Sequence, residues 1–164
     1  MHKALYVTAA SLAALTVLYY GWGWLSSDGG PGSPEQLADQ ALQAPTRSEQ
    51  VRAALALGSC QGAEARPHMQ RVFMASTVPD VRAAMIQGLV AEDAYEYMTL
   101  LLDALDDPDP WVRGRAGVAV QRLLEKRYDF KAEDSAAQRA PIVQAMRNDW
   151  EKVKGTRLSG SPYP

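Results

Sequence analysis

The chain has 164 residues, a formal charge of −2 and a sequence pI near 5.7, which leaves room for one domain with appendages and excludes a global basic footprint for nucleic acid. A single cysteine, Cys60, excludes an internal disulfide. Alanine, leucine, arginine and glutamine outweigh phenylalanine and isoleucine, a balance that favours helix over sheet.

The first expected element is a membrane helix within residues 1–25. Ala4–Leu25 carries no charged residue, and as a helix it would extend about 33 Å against a hydrocarbon core of about 30 Å. Tyr19, Tyr20, Trp22 and Trp24 cluster at its far end, where amphipathic rings favour the headgroup region. A cleaved signal peptide is the alternative, with Gly21-Trp22-Gly23 imitating a small-x-small site, although the stretch is long for such a peptide. His2 and Lys3 precede the span and the next basic residue is Arg47, so the positive-inside tendency puts the N-terminus in the cytoplasm and the remainder across the membrane. Residues 26–33, rich in Ser, Gly and Pro, read as a flexible linker, and the nine residues Ser26–Pro34 would reach roughly 15–18 Å.

A repeated phrase follows. Val51-Arg52-Ala53-Ala54-Leu55, Val81-Arg82-Ala83-Ala84-Met85 and Val112-Arg113-Gly114-Arg115-Ala116 are spaced by 30 and then 31 residues. A fixed period in this range marks units that bury their apolar faces only by stacking on one another. Each copy has a helix-start signal: Thr46 and Glu49 at capping-box spacing, Pro79-Asp80, and Asp109-Pro110 with Asp109 as N-cap. A second helix is expected before each copy, over Pro34–Gln43, Ala63–Ala75 and Ala94–Leu105.

This two-helix unit, with Asp107-Pro108-Asp109-Pro110-Trp111-Val112-Arg113 heading its second helix in the third copy, resembles a HEAT repeat, most closely the short variety named after phycobilisome lyases. The resemblance covers residues 34–126 and implies an all-α fold: a short α-solenoid of about three helical hairpins. It also implies a structural ladder between units formed by Arg52, Arg82 and Arg113 with Asp80 and Asp109 as partners, and it places the first helices on a convex face and the second on a concave one.

Residues 127–155 are expected to form a loop and a capping helix, opened by Pro141, with Ile142, Met146, Trp150 and Val153 on one face and Gly155 as its stop. Residues 156–164 read as a disordered tail.

Catalytic chemistry finds little support. His68 has no histidine or cysteine at ligand spacing, Cys60 no flanking positive charge, and the aspartates at 107 and 109 lack the glycine and glutamate of a calcium loop. No catalytic residue, metal, cofactor or small-molecule substrate is therefore expected. Charge is segregated instead: Glu92, Asp93, Glu96, Asp103, Asp106, Asp107 and Asp109 precede Arg113, Arg115, Arg122, Lys126, Arg127 and Lys131. Arg115 and Arg122, seven apart, share a helix face, and with Gln87 they are the candidate contacts to an acidic partner surface. The expectation is a non-enzymatic, membrane-anchored interaction module, an accessory subunit or assembly factor of a membrane complex with its repeats outside the cytoplasm. Two alternatives stand beside it: a lyase-type or chromophore-handling protein, and a secreted binding module after signal cleavage.

Overall fold

A computed structural model describes residues 32–90 and 95–159 of the chain. The expected membrane helix, with Tyr19, Tyr20, Trp22 and Trp24, lies outside the described residues, as do Glu92, Asp93 and residues 160–164. Among the described residues no helix is long and apolar enough to cross a membrane.

The described chain holds seven α-helices and no strand: α1 Pro34–Gln43, α2 Arg47–Gly58, α3 Arg66–Ala75, α4 Pro79–Val90, α5 Met98–Asp103, α6 Pro110–Leu123 and α7 Ala136–Leu158. α1 pairs with α2, α3 with α4, and α5 with α6; across these hairpins α1 packs on α3, α2 on α4, and α4 on α6. The arrangement is all-α and compatible with a helical repeat. α4 joins the two halves of the core. Its Val81, Ala84, Met85 and Leu89 pack toward the first hairpin, while Ala83, Ile86 and Val90 pack toward the third. Each large side chain so buried contributes roughly 1.5–3 kcal/mol.

Helix starts follow the local signals. Thr46 and Glu49 form the expected capping box, and Asp109 accepts from the Trp111 amide at 2.8 Å with Pro110 behind it. Two boundaries move. The expected start at Ala63 shifts to Arg66: residues 63–65 form a turn, with the Ala65 N–H bonded to the Gly62 carbonyl, and Pro67 takes a first-turn position where its missing N–H costs nothing. The helix expected over Ala94–Leu105 is instead α5 flanked by 3₁₀ turns at Tyr95–Tyr97 and Ala104–Asp106. The second of these advances the chain faster per residue, and Leu101, Leu102, Ala104 and Leu105 are all buried.

The three hairpin connections share one geometry. Ala44, Ser76 and Asp107 end α1, α3 and the turn after α5, all with ψ between 134° and 143°. In each hairpin the fourth residue of the second helix reaches back to that residue's carbonyl: Gln50 to Ala44 at 3.0 Å, Arg82 to Ser76 at 3.1 Å, Arg113 to Asp107 at 2.8 Å. The structural equivalent of Arg82 and Arg113 is therefore Gln50 and not Arg52. The first copy of the repeated phrase is displaced by two residues, about 200° around a helix. Accordingly Val81 and Val112 are fully buried, whereas Val51 is half-buried and Arg52 exposed.

The C-terminal helix also departs from expectation. Ser135 and Gln138 form a capping box that starts α7 at Ala136, so Pro141 lies inside the helix and Gly155 does not stop it. Pro141 leaves the Ala137 carbonyl without its ladder donor; Val143, Met146 and Trp150, buried against the third hairpin, hold the helix in place. The helix includes Thr156–Leu158, which were expected in the tail. Arg157 donates to Tyr95 Oη (3.0 Å) and Glu125 (2.9 Å), and Trp150 stacks on Tyr95 with centroids 6.4 Å apart.

The loop before α7 closes the outer side of α6. Glu125, at φ 53°, ends that helix as a left-handed cap, with Lys126 N–H bonded to the Gln121 carbonyl and Glu125 N–H to Arg122. Phe130 then lies over Gly117, where a Cβ would meet its ring at 2.7 Å. Asp149 ties the loop to α7 by accepting from Lys126 (2.5 Å), Lys152 (2.7 Å) and Tyr128 Oη (2.8 Å). Those donors hold its carboxyl well below the usual range, while burial and the Asp149 carboxylate push the Tyr128 phenol up.

Candidate partner-binding face

Counting each second helix from its first residue brings out a row that the repeated phrase conceals. The ninth residues are Leu55, Gln87 and Val118; the sixth are Arg52, Ala84 and Arg115. Every ninth residue is exposed, Leu55 by 56% and Val118 by 67%. On α6 the row continues lengthwise: Trp111, Arg115, Val118 and Arg122 stand at i, i+4, i+7 and i+11, a single stripe that is exposed throughout. Three of the exposed large apolar side chains, Leu55, Trp111 and Val118, thus share one face with three arginines.

The arginines expected at a partner surface are brought together with Gln87. Gln87, Arg115 and Arg122 line one recess of about 140 Å³ between α4 and α6, floored by Ile86, Val90 and Ala119 with Val118 as a wall. The Arg115 guanidinium lies 4.5 Å from the Trp111 ring centroid, a cation–π contact that orients it. Among the described residues no carboxylate pairs with Arg115. The acids at the starts of α4 and α2 are engaged elsewhere: Asp80 with Arg47 at 2.6 Å, and Glu49 in the capping box of α2.

The resemblance-implied ladder takes a different form. Arg82 pairs with Asp107 rather than Asp109, through Nε at 2.9 Å and Nη2 at 2.8 Å. Asp109 is occupied as an N-cap. Arg113 donates only to carbonyls, those of Asp107, Pro108 and Ala132. Arg52 makes no ion pair among the described residues and belongs with Arg115 on the exposed row. The reason is geometric: the two-residue displacement turns Arg52 away from the hairpin connection, and a cap cannot swing to meet a neighbouring guanidinium. Besides Arg82–Asp107, three pairs cross between units, Arg71–Asp39 (2.8 Å), Arg47–Asp80 and Arg66–Glu96 (2.7 Å), with partners 30 to 33 residues apart, close to the repeat period.

The first-helix side presents a larger groove of about 450 Å³ between α3 and α5, with Phe73, Met74, Tyr97 and Leu100 along it. Its acids are matched one by one: Glu96 by Arg66, Asp103 by Arg147 (2.9 Å), Asp106 by Arg139 (3.6 Å) and Asp107 by Arg82. Burial and the Glu96 charge raise the Tyr97 phenol. The acidic sequence run is therefore largely spent on internal pairing. On the second-helix row, Arg115 has no carboxylate partner among the described residues.

Of the groups weighed for catalysis, Cys60 donates its thiol to the Ala56 carbonyl at 3.4 Å, and His68 is half-buried on α3. Among the described residues no group of three His, Cys, Asp or Glu is placed to hold a metal. Sequence reasoning missed Leu55, Trp111 and Val118 as members of the face. The signal for Trp111 and Val118 was present, since both fall on the Arg115–Arg122 stripe; Leu55 required the corrected register. Comparison of the chain with protein-family models, curated proteins and solved structures finds no match.

Proposed function

We propose that this chain is a membrane-anchored, HEAT-like interaction module that binds a protein partner through the exposed row of its second helices, as an accessory subunit or assembly factor of a membrane complex. One observation carries the reading: Leu55, Gln87 and Val118, at the same position in successive hairpins, are all exposed and are accompanied by the unpaired, ring-stacked Arg115. A module of few repeats has little area, so useful affinity needs a few well-placed anchors and the raised local concentration a tether gives. Ala4–Leu25 supplies the proposed tether, with the repeats held near the extracytoplasmic surface by the short linker.

The test uses photo-crosslinking residues in the full-length chain in native membranes, one at Val118 and one at Met74 on the opposite side. A discrete adduct from position 118, absent from position 74, is expected. Adducts from position 74 alone, or none from 118, reject the reading.

A further inference from the structure

Arg52 and Arg115 are equivalent residues of the first and third hairpins, each two positions after the side chain that reaches back to its hairpin connection. Both are exposed, and among the described residues neither has a carboxylate partner. Glu49, one turn before Arg52, is held by the Thr46 hydroxyl at 2.7 Å. The equivalent residue of the intervening α4 is Ala84, which is buried and ends at its Cβ, so the face is low between the two guanidiniums. α4 packs on α2 at one side and on α6 at the other. Two interaxial spacings of about 8–10 Å then set the arginines about 16–20 Å apart. Three positions farther along stand the exposed Leu55, Gln87 and Val118. The Gln87 side-chain amide, able to donate and accept, makes no hydrogen bond among the described residues. Trp111 holds the Arg115 guanidinium in place, so little side-chain entropy remains to be lost when an acid docks on its edge.

We propose that an acidic segment of the protein partner crosses this face in extended conformation, from α2 over Ala84 to α6, with carboxylates at i and i+6 on Arg52 and Arg115. An extended chain rises about 3.3 Å per residue, so six residues cover about 20 Å and return the second carboxylate to the side of the first. Residues i+2 and i+4 face the protein as well. Leu55 and the α4–α6 recess of about 140 Å³, floored by Ile86, Val90 and Ala119, suit apolar side chains there. Two features select an extended segment over a helix. The low surface at Ala84 lets a backbone come close, and the Gln87 amide can exchange hydrogen bonds with peptide groups, which a helix has already paired internally. Charge complementarity selects acids, since a basic segment would bring like charge to both guanidiniums. The inference rests on the interaction reading above and specifies the partner's binding element.

The probe is a fluorescein-labelled peptide with glutamates at i and i+6, valines at i+2 and i+4 and threonines between, a β-branched pattern that favours extended chain. It is titrated into the full-length protein in neutral detergent. Saturable binding is expected, weakened about tenfold by the Arg52→Glu, Arg115→Glu double variant and by moving the second glutamate to i+5, on the opposite side of the chain. A peptide with lysines in place of both glutamates should restore binding to the double variant, a rescue that a misfolded variant could not show. No saturable binding, equal binding of both glutamate spacings, or indifference to the double variant overturns the proposal. Tighter binding of an alanine-rich helical peptide with glutamates at i and i+11, about 16.5 Å apart, replaces the extended segment by a helix and overturns it as well. So does arginine-dependent binding to vesicles containing phosphatidylglycerol without peptide binding, which assigns the arginines to the lipid surface. Failure of the peptide alongside adducts from position 118 rejects the acidic segment but not the interaction module; absence of those adducts rejects the module itself.

Discussion

The two junctions between hairpins are built by different means. Between the first and second, α2 and α4 approach until glycine is required: a Cβ on Gly88 would lie 2.8 Å from Gly58 Cα and 2.8 Å from Met69 Sδ. The Arg47–Asp80 pair that spans this junction is open to water, its side chains 67% and 43% exposed. Between the second and third, contact is sealed by the bidentate Arg82–Asp107 pair, with side chains only 11% and 8% exposed. One junction depends on the absence of atoms, the other on a buried charge that has its complement. Similar repeat spacing therefore does not imply similar energetics.

The largest expected effect comes from breaking the second junction. Asp107→Ala leaves the Arg82 guanidinium buried without its carboxylate and removes the cap over the Asp109 amide. A loss of about 3–5 kcal/mol is expected by urea denaturation followed by circular dichroism. A loss below about 1 kcal/mol would mean that the pair behaves like a surface one and that the contrast between junctions is false.

Next is the glycine contact. Gly88→Ala should cost about 1–3 kcal/mol, because the atoms it meets include the Gly58 backbone and the helices must move apart. Gly155→Ala, the same substitution in α7 with nothing within 4 Å, should stabilise by roughly 0.5–1 kcal/mol. Opposite signs in thermal melts would confirm that close approach, not loss of glycine as such, decides the outcome. The smallest effect belongs to Arg47→Ala. Removing this exposed partner of Asp80 should cost about 0–1 kcal/mol and less at high salt. A larger cost would place a strong polar lock at the first junction too.

Local chemistry was legible where it acts within a turn. Pro34–Gln43 was marked in full, the Thr46–Glu49 box and the Asp109-Pro110 start stood out, and helix over sheet followed from composition and periodicity. Ser135–Gln138 was equally readable as a box, but Pro141 drew the helix start to itself. The face was only half legible. Gln87, Arg115 and Arg122 were picked from charge and spacing, yet Arg52 was assigned to the ladder, because a repeated phrase aligns residue types and not helix rotations.

By itself the sequence determined that the described chain is helical, where most of its helices begin, and that its units recur about every 30 residues. These are consequences of caps, prolines and apolar periodicity, forces that reach only a few residues along the chain. Which carboxylate Arg82 holds, that Gln50 takes the arginine's place in the first hairpin, and that Leu55 joins Val118 on one exposed row were decided by packing. Two residues of offset turn a side chain about 200° around its helix, and only the neighbouring hairpin fixes which way that helix is turned.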